Sequence, residues 1–181
     1  MYPGLKIIGI SPVKSTIVDL TGEVPMILRP GYITKEMLLE VLDKVDEDKT
    51  MMHGDTGEKP KAPGMKYRHY APKGTLTIIS GTGESVVERI NQLTCEAMEQ
   101  KKKTGVIATT ENVAFYKADV IKNAGNRDNE ETIAKELYRI LREFDDEEVE
   151  VIYSEAFDES GIGQAIMNRL LKAAGHHIEY I

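Results

Sequence analysis

From residue 75 onward, short runs rich in β-branched residues alternate with longer segments of helical periodicity. The predicted strands are "TLTIIS", "TGVIATT", "ADVIKNAG" and "VEVIYSEAF", and the predicted helices cover 85–103, 129–148 and 163–175. Strands that alternate with helices form βαβ units with right-handed crossovers. We therefore predict an α/β fold in which a Rossmann-like parallel sheet is flanked by helices on both faces.

The predicted helices carry recognisable end signals. Ser85 and Glu88 form a capping box at the start of the first helix, and the three lysines at 101–103 extend its last turn, where the helix dipole favours cations. Gly175 is the predicted C-cap of the last helix.

Residues 1–45 have a different pattern. "STIVDL" and "VPMILRP" are predicted strands joined by the turn "TGE", and "TKEMLLEVLDKV" is a predicted helix with Thr34 as its N-cap. Two strands and one helix are too few to bury a core of their own. We predict three regions: the C-terminal remnant of a larger domain at 1–45, a linker at 46–74, and the Rossmann-like domain at 75–181.

Composition excludes several classes of protein. A net charge of -7 argues against a broad nucleic-acid-binding face, which needs basic residues. Cys95 is the single cysteine, so no internal disulfide can form, which fits a reducing cytoplasm. Because no window approaches about 18 consecutive apolar residues and no signal-peptide pattern opens the chain, we expect a soluble cytoplasmic protein without a membrane span.

The linker contains an unusual segment, "APGMKYRHYAPKG", at 62–74. Flexible tethers favour Gly, Ser and Glu, whereas this segment carries cations, phenols and an imidazole. Such a mixture suits a lid over an anionic ligand, because the phenols and imidazole donate hydrogen bonds while the cations balance charge. Its members are Lys66, Tyr67, Arg68, His69 and Tyr70. The alternative is that the two tyrosines only dock the linker against a domain.

Three polar residues of the predicted hairpin could contact phosphate. Ser15 and Thr16 begin the first strand, and Arg29 ends the second, just before Pro30 and Gly31. Hydroxyl groups and a guanidinium fork are donors that phosphate oxygens accept. The alternative is ordinary polarity at a strand edge with a surface arginine.

Two glycine turns follow predicted strands, "GTGESV" at 81–86 and "GIGQAI" at 161–166. Each resembles the first part of a dinucleotide-binding fingerprint, but Val86 and Ile166 stand where the third glycine belongs. Nucleotide binding at these turns is therefore an alternative and not the leading prediction. His53, His176 and His177 lack metal-ligand spacing, so no metal site is predicted.

The run "STIVDLTGEVPMILRPGYIT" followed by "APGMKYRHYAPKG" resembles the two-domain form of the threonylcarbamoyl-AMP synthase family, whose catalytic domain is of the YrdC type. The run "GIGQAIMNRLLKAA" is similar to the end of that family's C-terminal domain. The resemblance implies synthesis of threonylcarbamoyl-AMP from threonine, bicarbonate and ATP, with ATP as a substrate accompanied by Mg²⁺. Transferase proteins that modify tRNA would be indirect partners.

The resemblance also implies roles for residues of this chain. Ser15, Thr16 and Arg29 would lie on the ATP phosphate side, and residues 66–70 would form the linker lid over the substrates. The family's lysine-and-arginine strand and its Ser-x-Asn motif belong before residue 15, so no catalytic residue is assigned and we expect the chain to be inactive alone.

The sequence leaves two other hypotheses open. One is a non-enzymatic α/β module that senses a nucleotide or docks a partner, and the other is a purely structural docking domain. In either reading, or in the synthase, exposed strand edges could pair with a second copy, so a homodimer formed by strand exchange is a prediction.

Overall fold

The computed structural model describes residues 15–48 and 71–181. The first range forms a small unit whose elements are β1 (Ile17–Asp19), β2 (Met26–Arg29), α1 (Lys35–Leu39) and β3 (Asp46–Glu47). β1 is antiparallel to β2, and β3 runs parallel to β2 on its other side. Ile27 and Val45 are buried at the centre of this unit.

The two predicted strands and the helix cap of this unit are confirmed. Thr34 caps α1 by accepting a hydrogen bond from the Met37 N–H at 3.4 Å. The helix is shorter than the predicted 34–45, since it ends at Leu39. Asp46 and Glu47, which the sequence placed in the linker, form β3, because the Asp46 N–H donates to the Pro25 carbonyl at 2.8 Å.

The second range forms the α/β domain. Its elements are β4 (Thr75–Ser80), α2 (Glu84–Glu99), β5 (Thr104–Thr109), a 3-10 helix (Val113–Phe115), β6 (Val120–Gly125), α3 (Glu130–Asp146), β7 (Val151–Glu155), α4 (Gly161–Ala173) and β8 (Ile178–Tyr180). The strands form a five-stranded sheet in the order β6-β5-β7-β4-β8, and every pair is parallel. The predicted fold class is confirmed, with β8 as an added edge strand.

Helices cover both faces of this sheet. Ile78 packs in the cluster that contains α3 and α4, whereas its neighbour Ile79 packs in the cluster that contains α2. This alternation follows from the strand geometry, in which successive side chains point to opposite faces. The β4–α2–β5 crossover runs along the sheet in the opposite direction to β6–α3–β7 and β7–α4–β8. Right-handed crossovers therefore place α2 on one face and α3 with α4 on the other.

The capping box and the C-terminal lysines predicted for α2 are wrong, and the C-terminal glycine predicted for α4 is confirmed. Gly83 at φ +58 is the N-cap of α2, and the Ser85 hydroxyl donates to the Thr82 carbonyl at 2.7 Å, so no capping box forms. α2 ends at Glu99, which leaves the three lysines beyond its last turn. Gly175, at φ +60, follows the end of α4 in the left-handed conformation that a C-terminal glycine supplies.

None of the helices in these two ranges combines the length and the apolar character that crossing a membrane requires.

Close packing between β5 and α3 makes Gly105 a sensitive position. A β-carbon at Gly105 would lie 2.7 Å from Phe144 Cε1 and 2.9 Å from Val149 Cγ1, and the Phe144 side chain is fully buried. We expect Gly105→Ala to lower the free energy of unfolding by about 1–3 kcal/mol through overpacking. Urea denaturation measures this effect. Gly22→Ala is the control, since the nearest atom there is 3.6 Å away; equal losses in the two variants would contradict the prediction.

Candidate functional site

The structure brings together the three predicted phosphate-side residues. Arg29 donates to the Ser15 carbonyl from Nε at 3.2 Å and from Nη2 at 2.9 Å. The Thr16 hydroxyl donates to the Ile33 carbonyl at 2.7 Å. These bonds hold the guanidinium by one edge and leave Nη1 out of the contact with Ser15. Arg29 could therefore present a fixed cation to an anion. The Thr16 hydroxyl already donates its proton to the Ile33 carbonyl. The five predicted lid residues, 66–70, lie outside the described residues.

The last residue, Ile181, packs against the first glycine turn. The Ile181 N–H donates to the Ser80 carbonyl at 2.9 Å. A β-carbon at Gly81 would lie 2.6 Å from Ile181 Cγ1. Ile181 therefore packs against the first glycine of this turn. A β-carbon at the second glycine, Gly83, would meet nothing within 4 Å, and that is the position at which a dinucleotide fingerprint brings its backbone close to a phosphate.

The second glycine turn holds a carboxylate from the same chain. Gly161 has φ +55, and a β-carbon at Gly163 would lie 2.5 Å from Glu130 Oε1. Burial, with a smaller contribution from the charge of Asp158, raises the pKa of Glu130, and the neighbouring Gly163 N–H opposes that shift only in part. A carboxyl group of the chain itself thus lies at the N-terminus of α4, the kind of position at which phosphates bind in other proteins.

A buried carboxylate organises the loops at the carboxyl end of the sheet. Glu155, at the end of β7, is 1% exposed and accepts bonds from the Thr109 N–H at 3.1 Å and from Asn112 Nδ2 at 2.9 Å. Arg127 Nη2 forms an ion pair with Glu155 at 2.6 Å. The guanidinium also lies 5.4 Å from the centroid of the Phe157 ring. This network ties together the loops that follow β5, β6 and β7.

Sequence reasoning missed this network. The signal was a charged residue, Glu155, ending the apolar run "VIYSE", because charged side chains are rarely buried unless they are paired. Tyr116 is also buried beside Glu155, and its hydroxyl makes no hydrogen bond of good geometry. Burial, followed by the charge of Glu155, raises the pKa of Tyr116, which keeps the phenol protonated. Across 15–48 and 71–181, no group of His, Cys, Asp or Glu side chains could hold a metal ion.

Removing the cation of this network is expected to cost stability. In Arg127→Met the Glu155 carboxylate stays buried without its charge partner, so we expect a loss of about 3 kcal/mol in the free energy of unfolding. Arg139→Met is the matched control, because Arg139 is 56% exposed and pairs with Glu136 and Glu143 on its own helix. Exposed pairs of this kind contribute under about 1 kcal/mol. Similar losses in the two variants, measured by urea denaturation, would show that the pair of half-exposed Arg127 with buried Glu155 is no more stabilising than an exposed pair.

The raised pKa of Glu130 predicts a pH-dependent effect of substitution. The Glu130 carboxyl keeps its proton to a higher pH in the folded state than in the unfolded chain. The contribution of this group to the free energy of unfolding therefore decreases as pH rises through its titration. Glu130→Gln lacks that titration. We expect the stability of Glu130→Gln relative to wild type to increase as pH rises above about 4, where a glutamate of the unfolded chain titrates. Denaturation curves at several pH values test this; a difference that is constant or decreases with pH would contradict it.

Comparisons with known proteins agree on one family. The model for the threonylcarbamoyl-AMP synthase C-terminal domain matches residues 33–175. Threonylcarbamoyl-AMP synthase from Bacillus subtilis is 43% identical over 166 residues, which cover 92% of this chain and 46% of that protein. The chain thus spans about half the length of this relative.

Solved structures agree with this match. A variant of Pyrococcus abyssi Sua5, with a histidine and a tyrosine replaced by alanine, superposes with a TM-score of 0.84 at 34% identity, covering 94% of this chain and 47% of that one. P. abyssi Sua5 complexed with L-threonine gives 0.82 at 36% identity, covering 93% and 48%. The chain therefore belongs to the threonylcarbamoyl-AMP synthase family, of which it contains the C-terminal domain.

Proposed function

We propose that this chain is the C-terminal part of an enzyme that makes threonylcarbamoyl-AMP for the threonylcarbamoyladenosine modification of tRNA. The observation that carries the proposal is the likeness to P. abyssi Sua5 complexed with L-threonine, which extends over 93% of this chain. That extent includes the small unit with Arg29 as well as the α/β domain, so the likeness reaches beyond the fold of a single domain.

The proposed reaction has two steps. The threonine amine attacks the carbon of bicarbonate, and water leaves to give N-carboxythreonine. A carboxylate oxygen of this intermediate then attacks the α-phosphorus of ATP, the bond from that phosphorus to the bridging oxygen breaks, and pyrophosphate leaves. Positioning of the reactants and stabilisation of phosphate charge supply most of the catalysis. Mg²⁺ accompanies ATP, and it needs few protein ligands when phosphates and water coordinate it.

In this proposal, Ser15, Thr16 and Arg29 form part of the wall on the phosphate side. The bonds from Arg29 to the Ser15 carbonyl support that role, because they orient the guanidinium before an anion arrives. The linker residues 66–70 contribute further cations and hydrogen-bond donors to the threonine carboxylate, bicarbonate and phosphates. The product then passes, in the cytoplasm, to transferase proteins that act on tRNA.

We propose that the chain turns nothing over by itself and completes a catalytic domain supplied by the remainder of the enzyme. The rival hypothesis, a nucleotide-sensing module, needs a glycine turn that is open to a phosphate. The Glu130 carboxylate lies against Gly163 in the second turn, whereas in the first turn Ile181 packs against Gly81 and leaves Gly83 open. Saturable nucleotide binding that survives deletion of residues 1–74 would favour the rival.

Pyrophosphate release from ATP, threonine and bicarbonate tests the proposal. We expect no release by this chain alone, and release when it is mixed with a separately expressed YrdC-type domain that lacks these residues. The intact family enzyme is the positive control. If the mixture releases no pyrophosphate while the intact enzyme is active, the proposal that this chain completes a separately supplied catalytic domain is contradicted.

Arg29→Ala tests the phosphate wall in the same assay. Loss of a charge-assisted contact costs about 1.5–3 kcal/mol, so we expect release by the mixture to fall roughly 10- to 100-fold. Lys44→Ala is the control, since Lys44 is an exposed cation of the same unit. Equal effects of the two substitutions would remove Arg29 from the proposed wall.

A further inference from the structure

An open cavity of about 460 Å³ lies at the amino edge of the sheet, next to the end of α2. Its lining consists of Met98, Asp119 and three consecutive lysines, Lys101, Lys102 and Lys103. Lys103 directly precedes β5, and Asp119 directly precedes β6. Ligand pockets commonly measure about 300–1,000 Å³. The cavity is therefore large enough for a small molecule, and most of its lining residues are cations.

The turn that ends α2 brings two of these lysines to the cavity. The Lys101 N–H donates to the Met98 carbonyl at 2.8 Å, and the Lys102 N–H donates to the Ala97 carbonyl at 3.1 Å. This pair of bonds defines a Schellman turn, whose left-handed residue is usually glycine. Here that residue is Lys101, at φ +60. The turn thus carries a cationic side chain at a position where glycine would be less strained.

Lys101 and Lys102 are not neutralised by nearby groups of the chain. Both are exposed, and within residues 15–48 and 71–181 neither ammonium group forms an ion pair or a hydrogen bond. Lys103 differs, because its Nζ donates to the Glu147 carbonyl at 2.6 Å. Two ammonium groups of the cavity wall are therefore available to an anion.

One carboxylate of the lining opposes anion binding. Asp119 Oδ2 accepts hydrogen bonds from the Thr104 N–H at 2.8 Å and from the Thr104 hydroxyl at 2.9 Å. These two bonds hold the pKa of Asp119 below its usual value, so the group stays charged. The lining then carries three positive charges and one negative charge. This balance favours an anion with more than one negative charge.

We propose that this cavity binds a small anion that carries a diphosphate group, held by Lys101 and Lys102. Ammonium groups bind phosphate oxygens through charge-assisted hydrogen bonds, and two neighbouring lysines can contact two linked phosphates. Free pyrophosphate and the phosphate chain of a nucleotide present the same oxygens, so both are candidate ligands. Arg29 belongs to the small unit and not to this lining, so the inference does not rest on the proposed function.

Titration of pyrophosphate into the whole chain, followed by calorimetry without divalent cations, tests the site. We expect saturable binding, with the Kd raised about fivefold in Lys101→Gly and in Lys102→Met. Lys101→Gly keeps the left-handed turn and removes only the cation. Asp119→Asn should lower the Kd, because it removes the opposing charge and keeps an oxygen for Thr104. Lys135→Met, at an exposed lysine of α3, is the matched control and should leave the Kd unchanged.

The same titration with ATP, AMP and inorganic phosphate identifies the recognised group. We expect ATP and pyrophosphate to bind at least about tenfold more tightly than AMP and inorganic phosphate, since only the first two contain linked phosphates. If ATP binds no more tightly than pyrophosphate, the phosphate chain alone is recognised; if it binds more tightly, the nucleoside contributes as well. Equal affinity for all four compounds would contradict recognition of a diphosphate.

Two results would overturn the site. One is the absence of saturable pyrophosphate binding, and the other is binding that Lys101→Gly and Lys102→Met leave unchanged. If that unchanged binding is lost in Arg29→Ala, the anion lies at the proposed phosphate wall instead. A mixture with the catalytic domain that releases no pyrophosphate contradicts the proposed function and leaves this binding result unaffected, so the two proposals fail separately.

Discussion

The parallel pairing of β4 with β7 is the constraint on which the rest of the α/β domain depends. In this register Thr75 lies opposite Val151, so the start of β4 is beside the start of β7. α3 leads directly into β7, which places Arg142 and Asp145 next to the backbone that enters β4. At the opposite edge, the same pairing sets Ile79 beside Glu155, where the ion pair with Arg127 forms. One strand pair therefore positions both the contacts of Arg142 and Asp145 with the chain that enters β4 and the buried charge of Glu155.

The two edges of the sheet differ in a way that bears on function. Open α/β sheets commonly bind ligands at the carboxyl ends of their strands. Here several groups of the chain itself lie at that edge: Ile181 against Gly81 of the first glycine turn, Glu130 at the second turn, and Glu155 with its partners between the loops. Gly83 of the first turn stays open. At the amino edge, Arg142 and Asp145 instead bond the backbone of Ala71 and Lys73.

Sequence reasoning found the parts of this structure that have local signals. The alternation of strand-like and helix-like segments predicted the observed bounds of β4. Thr34 and Gly175 were recognised as helix caps from their chemistry. β3 and β8 have two and three residues, too few for a periodic pattern to appear. Glu155 was missed because its partners are distant in sequence: Arg127 is 28 residues away and Thr109 is 46. Arg29 contacts the Ser15 carbonyl, but the phosphate-side role of these residues and the lid role of residues 66–70 both stay predictions.

The most direct test of the central claim is detection of the product itself. Labelled threonine would be incubated with ATP and bicarbonate, and threonylcarbamoyl-AMP would be identified by mass spectrometry. The account predicts that label enters a compound containing both threonine and AMP only when this chain and the catalytic domain are present together. Equal product formation by the catalytic domain without this chain would contradict the claim that residues 15–181 complete the enzyme.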